Sequence, residues 1–437
     1  MSRLEELRER IASRRTRIGV IGLGYVGLPL GVEFAKAGFE VVGFDLDAQK
    51  VRSLDEGHSY IEDVPESDLH EVKAAGRFSA TSNFAALTGL DVINICVPTP
   101  LTRTRDPDVS HMAAAVEEIR KRLHGGQLII LGSTTYPGTT HELFVQALEE
   151  TGLTVGTDFS LCFAPERIDP GNERFAVRNV PKVVGGETPL CTELGCAVFE
   201  TIFDEVVPVS STQCAEMVKL LENTFRAINI GLANEVALMC QRLGLDVWEV
   251  IEAAATKPYG FMKFVPGPGL GGHCIPVDPS YLSWKMKSLD FSARFIELAT
   301  EINSGMPQHV VDRCAALLNE RRLAVNGAQI LVIGVAYKKD VGDMRESPAL
   351  DVIALLAERG ADIAYHDPHV REFEVAGQGY KGIELDDNVL HESDLVVILT
   401  DHGEIDYERV VRLAPHVFDT RNATASVTTG REKITRL

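Results

Sequence analysis

The chain has 437 residues, enough for about three domains, and its 45% hydrophobic and 24% charged content is that of an ordinary soluble globular protein. It carries 43 Lys+Arg against 63 Asp+Glu, a formal net charge of −20, which argues against nucleic acid or an anionic membrane surface as the main partner. A phosphate-bearing small molecule stays open, because a few backbone amides and cations can hold a phosphate inside an acidic protein.

The N-terminal stretch MSRLEELRERIASRRT has no apolar run of the kind a secretory signal needs, and residues 1–15 read as a short exposed helical tail. The uncharged run Ile18–Val32 is shorter than the roughly 20 apolar residues of a membrane span. The eight cysteines show neither CxxC pairs nor Cys/His spacing suited to zinc, so no metal is expected and a reducing cytoplasm is the expected location.

Over 16–209, the runs RIGVIGLG, EVVGFDLD, LDVINICVP, GQLIILGST and FSLCFAPER predict buried strands alternating with helices, the pattern of a parallel sheet. Gly22, Gly24 and Gly27, with Tyr25 and Val26 between them, satisfy G-x-G-x-x-G directly after a strand and at the start of a helix. The first glycine permits the turn, the second lets a pyrophosphate approach the backbone and the third lets helix and strand pack closely. Asp45 follows Gly27 by eighteen residues, where a carboxylate accepts from the adenosine ribose and repels a 2′-phosphate, so NAD is expected rather than NADP. Lys50 lies either beside the adenosine or in solvent.

Over 210–323, a helix is predicted from about Ser211 to Leu243, closed by Gly244. Lys219 and Asn223 share one face of it. The Pro/Gly-rich segment KPYGFMKFVPGPGLGGHCIPVDP carries too many aromatic residues for a solvent linker and is expected to line a site. Its Cys274, between a glycine run and Pro276, is either a small core residue or a thiol made partly thiolate near a helix start. Over 324–437, strand and helix alternation restarts with AQILVIGVAYK, ADIAYHDP, SDLVVILTDH and HVFDTRN. Here one glycine and two cations replace the glycine fingerprint, which suits phosphate held by Lys or Arg and not a second NAD. The expected class is therefore α/β, with two Rossmann-like doubly wound parallel-sheet domains joined by a central helical domain with one long helix.

GLGYVGLP, STTYPGTT, FAPERIDPG, AEMVKLLENTFRA, PGPGLGGHCIPVDP and GVAYKKDVGDMRESP occur together in this order, and the chain thereby resembles the nucleotide-sugar 6-dehydrogenase family over nearly its whole length. Within it, the loop around Cys274 and PERIDPGN are most similar to the UDP-N-acetylglucosamine branch serving bacterial surface polysaccharides. The resemblance implies a four-electron oxidation of a sugar hydroxymethyl to a carboxylate, with two NAD per turnover, a UDP-sugar substrate and no metal. It implies that Cys274 is the nucleophile, that Lys219 and Asn223 stabilise an oxyanion, that Asp278 organises water, and that Thr134 and Glu166 position water and carry protons. Ile95, Val97, Thr99 and Thr134 would line the NAD site, with Arg345 reaching the cofactor from the C-terminal domain. Arg167, Tyr259, Phe264, Gly267, Gly269, Gly271, Lys338 and Arg421 would bind the nucleotide sugar, alongside Glu166, Lys219 and Asn223. UDP-glucose dehydrogenases carry a second Glu four residues past the position of Glu166, and Pro170 stands there in this chain. The long helix has more apolar surface than one domain covers, so a homodimer is expected.

Overall fold

The computed structural model describes residues 3–437 except 62, 103, 105, 169–176 and 273–274. The chain divides into two compact units, Met1–Glu222 with Ser280–Phe291 and Asn223–Pro279 with Ser292–Leu437.

The first unit is built on eight strands: β1 (Arg17–Ile21), β2 (Glu40–Phe44), β3 (Phe78–Thr81), β4 (Val92–Ile95), β5 (Leu128–Leu131), β6 (Ser160–Phe163), β7 (Lys182–Gly186) and β8 (Val206–Val209). They form one sheet in the order β3-β2-β1-β4-β5-β6-β7-β8. Every pairing is parallel except β6 with β7, so the sheet is the expected doubly wound parallel one with a single antiparallel pairing. β3, β7 and β8 escape the sequence reading: β3 and β8 are edge strands whose side chains are mostly uncovered, β8 is interrupted by Pro208, and β7 opens on a lysine and closes on two glycines. Successive residues of β5 serve opposite cores: Leu128 and Ile130 join Phe34 and Phe199 on one face, Ile129 and Leu131 join Phe144 and Phe159 on the other. This period-two split is why the strands read as continuous apolar runs.

The N-terminal segment is not merely an exposed tail. Helix Arg3–Ala12 buries Leu4, Leu7 and Ile11 in the core that holds Phe199 and Phe203. Their spacing puts all three on one helical stripe, while the charges between them, which dominate the composition, face water. Arg10 fastens the helix to Asp91 at 2.5 Å, and Asp91 also accepts the Arg17 backbone N–H.

The second unit has a five-stranded parallel sheet ordered β10-β9-β13-β14-β15, from β9 (Gln329–Ile333), β10 (Asp362–His366), β13 (Leu395–Ile398), β14 (Val417–Asp419) and β15 (Ile434–Arg436). A separate antiparallel pair, β11 (Glu372–Val375) and β12 (Gln378–Lys381), was not expected from the sequence. The long helix runs Thr212–Leu243 and ends at Gly244, whose φ of +68° is the left-handed conformation that terminates helices. In each sheet the strand order reverses beside the first strand, β1 against β4 and β9 against β13, which is where open parallel sheets hold ligands.

Candidate active site

In the first unit the glycine loop joins β1 to helix Gly27–Lys36. Gly22 has φ +92°, and a Cβ there would stand 2.5 Å from the Cys96 carbonyl oxygen; one on Gly27 would stand 1.8 Å from the Gly22 carbonyl oxygen. These two glycines are demanded by the fold. Gly24 differs: a Cβ would meet nothing within 4 Å, so its backbone faces open space. The helix that follows has no side-chain cap and no acid in its first turn, which leaves its electropositive end to an anion. Tyr25 is exposed and Val26 half-buried at this corner. The Asp45 carboxylate, at the end of β2, accepts the N–H groups of Leu23 at 3.0 Å and Asp47 at 2.9 Å, and the Lys50 ammonium lies 3.6 Å away. The turn, the uncapped helix and the fixed acid fit an NAD pyrophosphate and ribose.

Past β4, Ile95 is buried and the following loop is pinned twice. Ser133 Oγ donates to the Val97 carbonyl at 2.8 Å, and the Tyr281 hydroxyl donates to the Thr99 carbonyl at 2.9 Å. Thr134, half-buried, sits on the loop after β5. That loop is anchored by Glu216, a fully buried residue of the long helix that accepts from Gly138 N–H at 2.5 Å, Thr140 N–H at 2.8 Å and Thr140 Oγ1 at 2.6 Å.

Glu166 follows β6. Its Oε1 accepts the Arg167 and Ile168 N–H groups at 2.8 and 3.0 Å, and its Oε2 takes the Lys182 ammonium at 3.0 Å. Burial works to raise the Glu166 carboxyl, but Lys182 and the two backbone donors outweigh it and hold the group below its ordinary value. Arg167 is committed to Glu222 at 2.5 Å and to the Pro181 carbonyl. Lys219 is only 8% exposed, and among the described residues its ammonium has no hydrogen-bond or ion-pair partner. Burial pushes the thiol of Cys96, which feels both Lys182 and Glu166, up to about 12, so it stays protonated.

In the second unit, Asn223 Nδ2 donates to Asp278 Oδ2 at 2.5 Å, uniting two residues that are 55 apart in sequence. Cys274 lies outside the described residues. The glycine run is held by a buried amide chain: Gly267 N–H donates to Asn234 Oδ1 at 2.9 Å, Asn234 Nδ2 to Asn303 Oδ1 at 2.8 Å, and Asn303 Nδ2 to the Ala227 carbonyl at 3.1 Å. A Cβ on Gly267 would meet the Arg421 guanidinium at 2.6 Å, and one on Gly271 would meet Tyr337 Cβ at 2.7 Å. Gly269 has φ +145° and packs against Pro348. The run therefore lies against the loops after β9 and β14, which carry half-buried Lys338 and Arg421, and the Arg421 guanidinium also reaches Asp401 after β13 at 3.3 Å. Arg345 forks onto Asp343 at 2.6–3.0 Å. Phe264 meets Phe225 edge-on with ring centroids 5.9 Å apart, and Tyr259 is exposed beneath the Lys257 ammonium.

Residues 16–204 match the NAD binding domain of the UDP-glucose/GDP-mannose dehydrogenase family, 213–305 its central domain and 331–426 its UDP binding domain. The chain belongs to the UDP-glucose/GDP-mannose dehydrogenase family. NAD is the cofactor of the family's first domain, where the Gly22–Gly27 turn and Asp45 fit it. The relatives include a UDP-N-acetyl-D-glucosamine 6-dehydrogenase of Pseudomonas aeruginosa, 39% identical over 81% of this chain and 83% of its own length. A UDP-N-acetyl-D-mannosamine dehydrogenase of Pyrococcus horikoshii is 35% identical over 93% of this chain and 95% of its own. A solved structure of a UDP-D-ManNAc dehydrogenase from Pyrococcus horikoshii superposes with a TM-score of 0.85, at 33% identity, covering 93% of this chain and 96% of that one.

Four further residues of this dehydrogenase escape the sequence reading: Lys182, Glu216, Asn234 and Asn303. Each is a polar side chain buried in an apolar stretch, where it needs a partner. That oddity is the only signal the sequence holds for them.

Proposed function

We propose that this chain oxidises the C6 hydroxymethyl of UDP-N-acetyl-D-glucosamine to the carboxylate, consuming two NAD and one water and releasing two NADH, as a cytoplasmic homodimer supplying surface-polysaccharide precursors. The observation that carries the chemistry is Lys219, a lysine that is only 8% exposed and whose ammonium has no partner among the described residues, on a helix that one turn later presents Asn223, itself hydrogen-bonded to Asp278. A lysine whose stem is packed away and whose ammonium is not engaged by the described residues is suited to an incoming anion, and negative charge developing on a substrate oxygen would be its counter-ion.

When bound, NAD accepts hydride. The Gly22–Gly27 turn and Asp45 would hold it, with Ile95, Val97, Thr99 and Thr134 along its site. Lys338 and Arg421 would take the UDP diphosphate. Lys219 and Asn223 would stabilise the alcohol oxygen as its proton leaves, lowering the barrier to hydride loss. Cys274 would add to the aldehyde, so that the second oxidation leaves a thioester in place of a free aldehyde. Glu166, with Thr134 and Asp278, would order the water that hydrolyses it; the acid is released and Cys274 returns as thiol.

The resemblance around Cys274 and the relative from Pseudomonas aeruginosa favour the gluco epimer. The second reading is its C2 epimer, UDP-N-acetyl-D-mannosamine, favoured by the relative that spans 93% of the chain. An NADH-coupled assay across UDP-GlcNAc, UDP-ManNAc, UDP-glucose and GDP-mannose tests both. The expected outcome is the highest kcat/KM with UDP-GlcNAc, two NADH per acid formed, and a stall after the first oxidation in Cys274→Ser. One NADH per product, or turnover by Cys274→Ser, overturns the thioester route.

A further inference from the structure

Lys182 opens β7 and is 2% exposed, which is rare for a lysine. Its ammonium reaches Glu166 Oε2 at 3.0 Å and sits over the rings of Phe199 and Phe203, 5.1 and 5.2 Å from their centroids. The rings stabilise the cation where water does not reach it. Glu166 is its one anionic partner among the described residues. Of the carboxylate's roughly four acceptor positions, Oε1 gives two to the Arg167 and Ile168 N–H groups and Oε2 gives one to Lys182. Among the described residues, nothing else takes Oε2, which leaves one position there for a ligand. Among the described residues, the other ionisable groups around this carboxylate are spoken for: Arg167 pairs with Glu222, and Cys96 remains a thiol.

We propose that Lys182 is a positioning residue for Glu166, fixing its carboxylate and keeping it ionised, so that Glu166 acts as a proton acceptor for substrate or water and never as a proton donor. This rests on the role given to Glu166 above. The direction of the Glu166 titration agrees: the lysine holds the carboxyl below its ordinary value despite burial, whereas a general acid at neutral pH would need it raised. A purely structural ion pair would be replaceable by two neutral side chains without loss beyond stability. A positioning pair is not.

The test is a double-mutant cycle on the full chain with K182M, K182R, E166Q and E166Q/K182M, following kcat and both KM values against pH. K182M is expected to lower kcat at least about tenfold with each KM within about threefold, and to move the acidic limb of the kcat profile up by about one pH unit or more. K182R, which retains the charge, restores most of the rate. In the E166Q background K182M costs nothing further, because Lys182 acts only through Glu166. The double variant removes both charges and supplies a folded reference should K182M alone not fold. An unchanged K182M profile, an E166Q variant as fast as wild type, or an equal K182M penalty in the E166Q background overturns the proposal. An isotope-edited NMR titration of the Glu166 carboxyl carbon, assigned by its loss in E166Q, decides the point without activity. It should titrate at higher pH in K182M than in wild type, and equal curves overturn Lys182's role. Wild-type chain that forms no NADH with any nucleotide sugar overturns the proposed reaction instead, and leaves the titration to judge Lys182.

Discussion

Glu216 lies three residues before Lys219 on the long helix and is fully buried, yet it points at the loop carrying Thr134. It serves as a remote cap for the helical turn beginning at Thr140, taking two backbone N–H groups and one hydroxyl. Burial pushes its carboxyl above the ordinary range even against those three donors. A carboxyl with a raised folded value holds its proton more tightly in the fold than in the unfolded chain. Its contribution is therefore fully present below the unfolded value, about 4.3, and is lost as pH rises through the folded one. E216Q keeps one carbonyl but turns an NH2 toward a backbone donor, so it should destabilise the first unit by about 1–3 kcal/mol. Because the glutamine does not titrate, the gap between wild type and E216Q should be widest at acidic pH and narrow toward neutrality. Denaturant melts of both proteins at several pH values check this, and a gap that widens toward neutrality contradicts the assignment.

Among the elements, the glycine run in the second unit shows what carries precision where side chains are missing. Gly267, Gly269 and Gly271 have no side chains of their own to lock them, so the run depends on the Asn234–Asn303 amide chain between two helices. N234L leaves the Gly267 N–H and the Asn303 carbonyl without their partner. Each orphaned buried group costs about 1–3 kcal/mol. The expected result is a lower melting temperature for the second unit and a KM for the UDP-sugar that rises while the KM for NAD stays within about twofold, since the NAD residues belong to the first unit. Equal changes in both constants would show the amide chain to be general scaffolding. The same elements mark how far the sequence was legible. β1, β2, β4, β5 and β6 could be read because apolar side chains covered on both faces leave an unbroken run, and the helix through Lys219 because it holds no proline and ends on Gly244. β3, β8 and β15 could not, being edge strands where little is buried, nor could β7, whose short apolar pair lies between a lysine and two glycines. Gly22 and Gly27 were visible because local backbone geometry demands them, and Asp45 because its spacing after them is the one an adenosine ribose calls for. Lys182, Asn234 and Asn303 were not, because each is explained only by a partner far away in sequence.

At the scale of the whole molecule, two properties oppose each other. Along the long helix, Met217, Leu221, Phe225, Leu232, Met239 and Leu243 are all exposed, from 38% to 70%, and their spacings of four and seven residues set them in one stripe. Such a continuous apolar stripe calls for a covering partner. A second copy of the chain is the proposed one, since identical stripes related by a two-fold axis are self-complementary. Yet each copy brings a formal charge of −20, and two like-charged bodies repel. Added salt screens that repulsion, with a Debye length near 10 Å at 0.1 M, and leaves apolar burial intact. The dimer should therefore tighten as ionic strength rises from about 0.02 to 0.2 M, the opposite of an interface held by ion pairs. Placing two charges in the stripe with L232E/M239E should give monomers across that range, because burying an unpaired carboxylate costs several kcal/mol and the partner's copies of the same carboxylates repel it. Sedimentation equilibrium of both proteins over the salt series reads this out directly. A wild-type chain that stays monomeric at micromolar concentration, or a dimer that loosens with salt, means that this stripe is not where two copies meet.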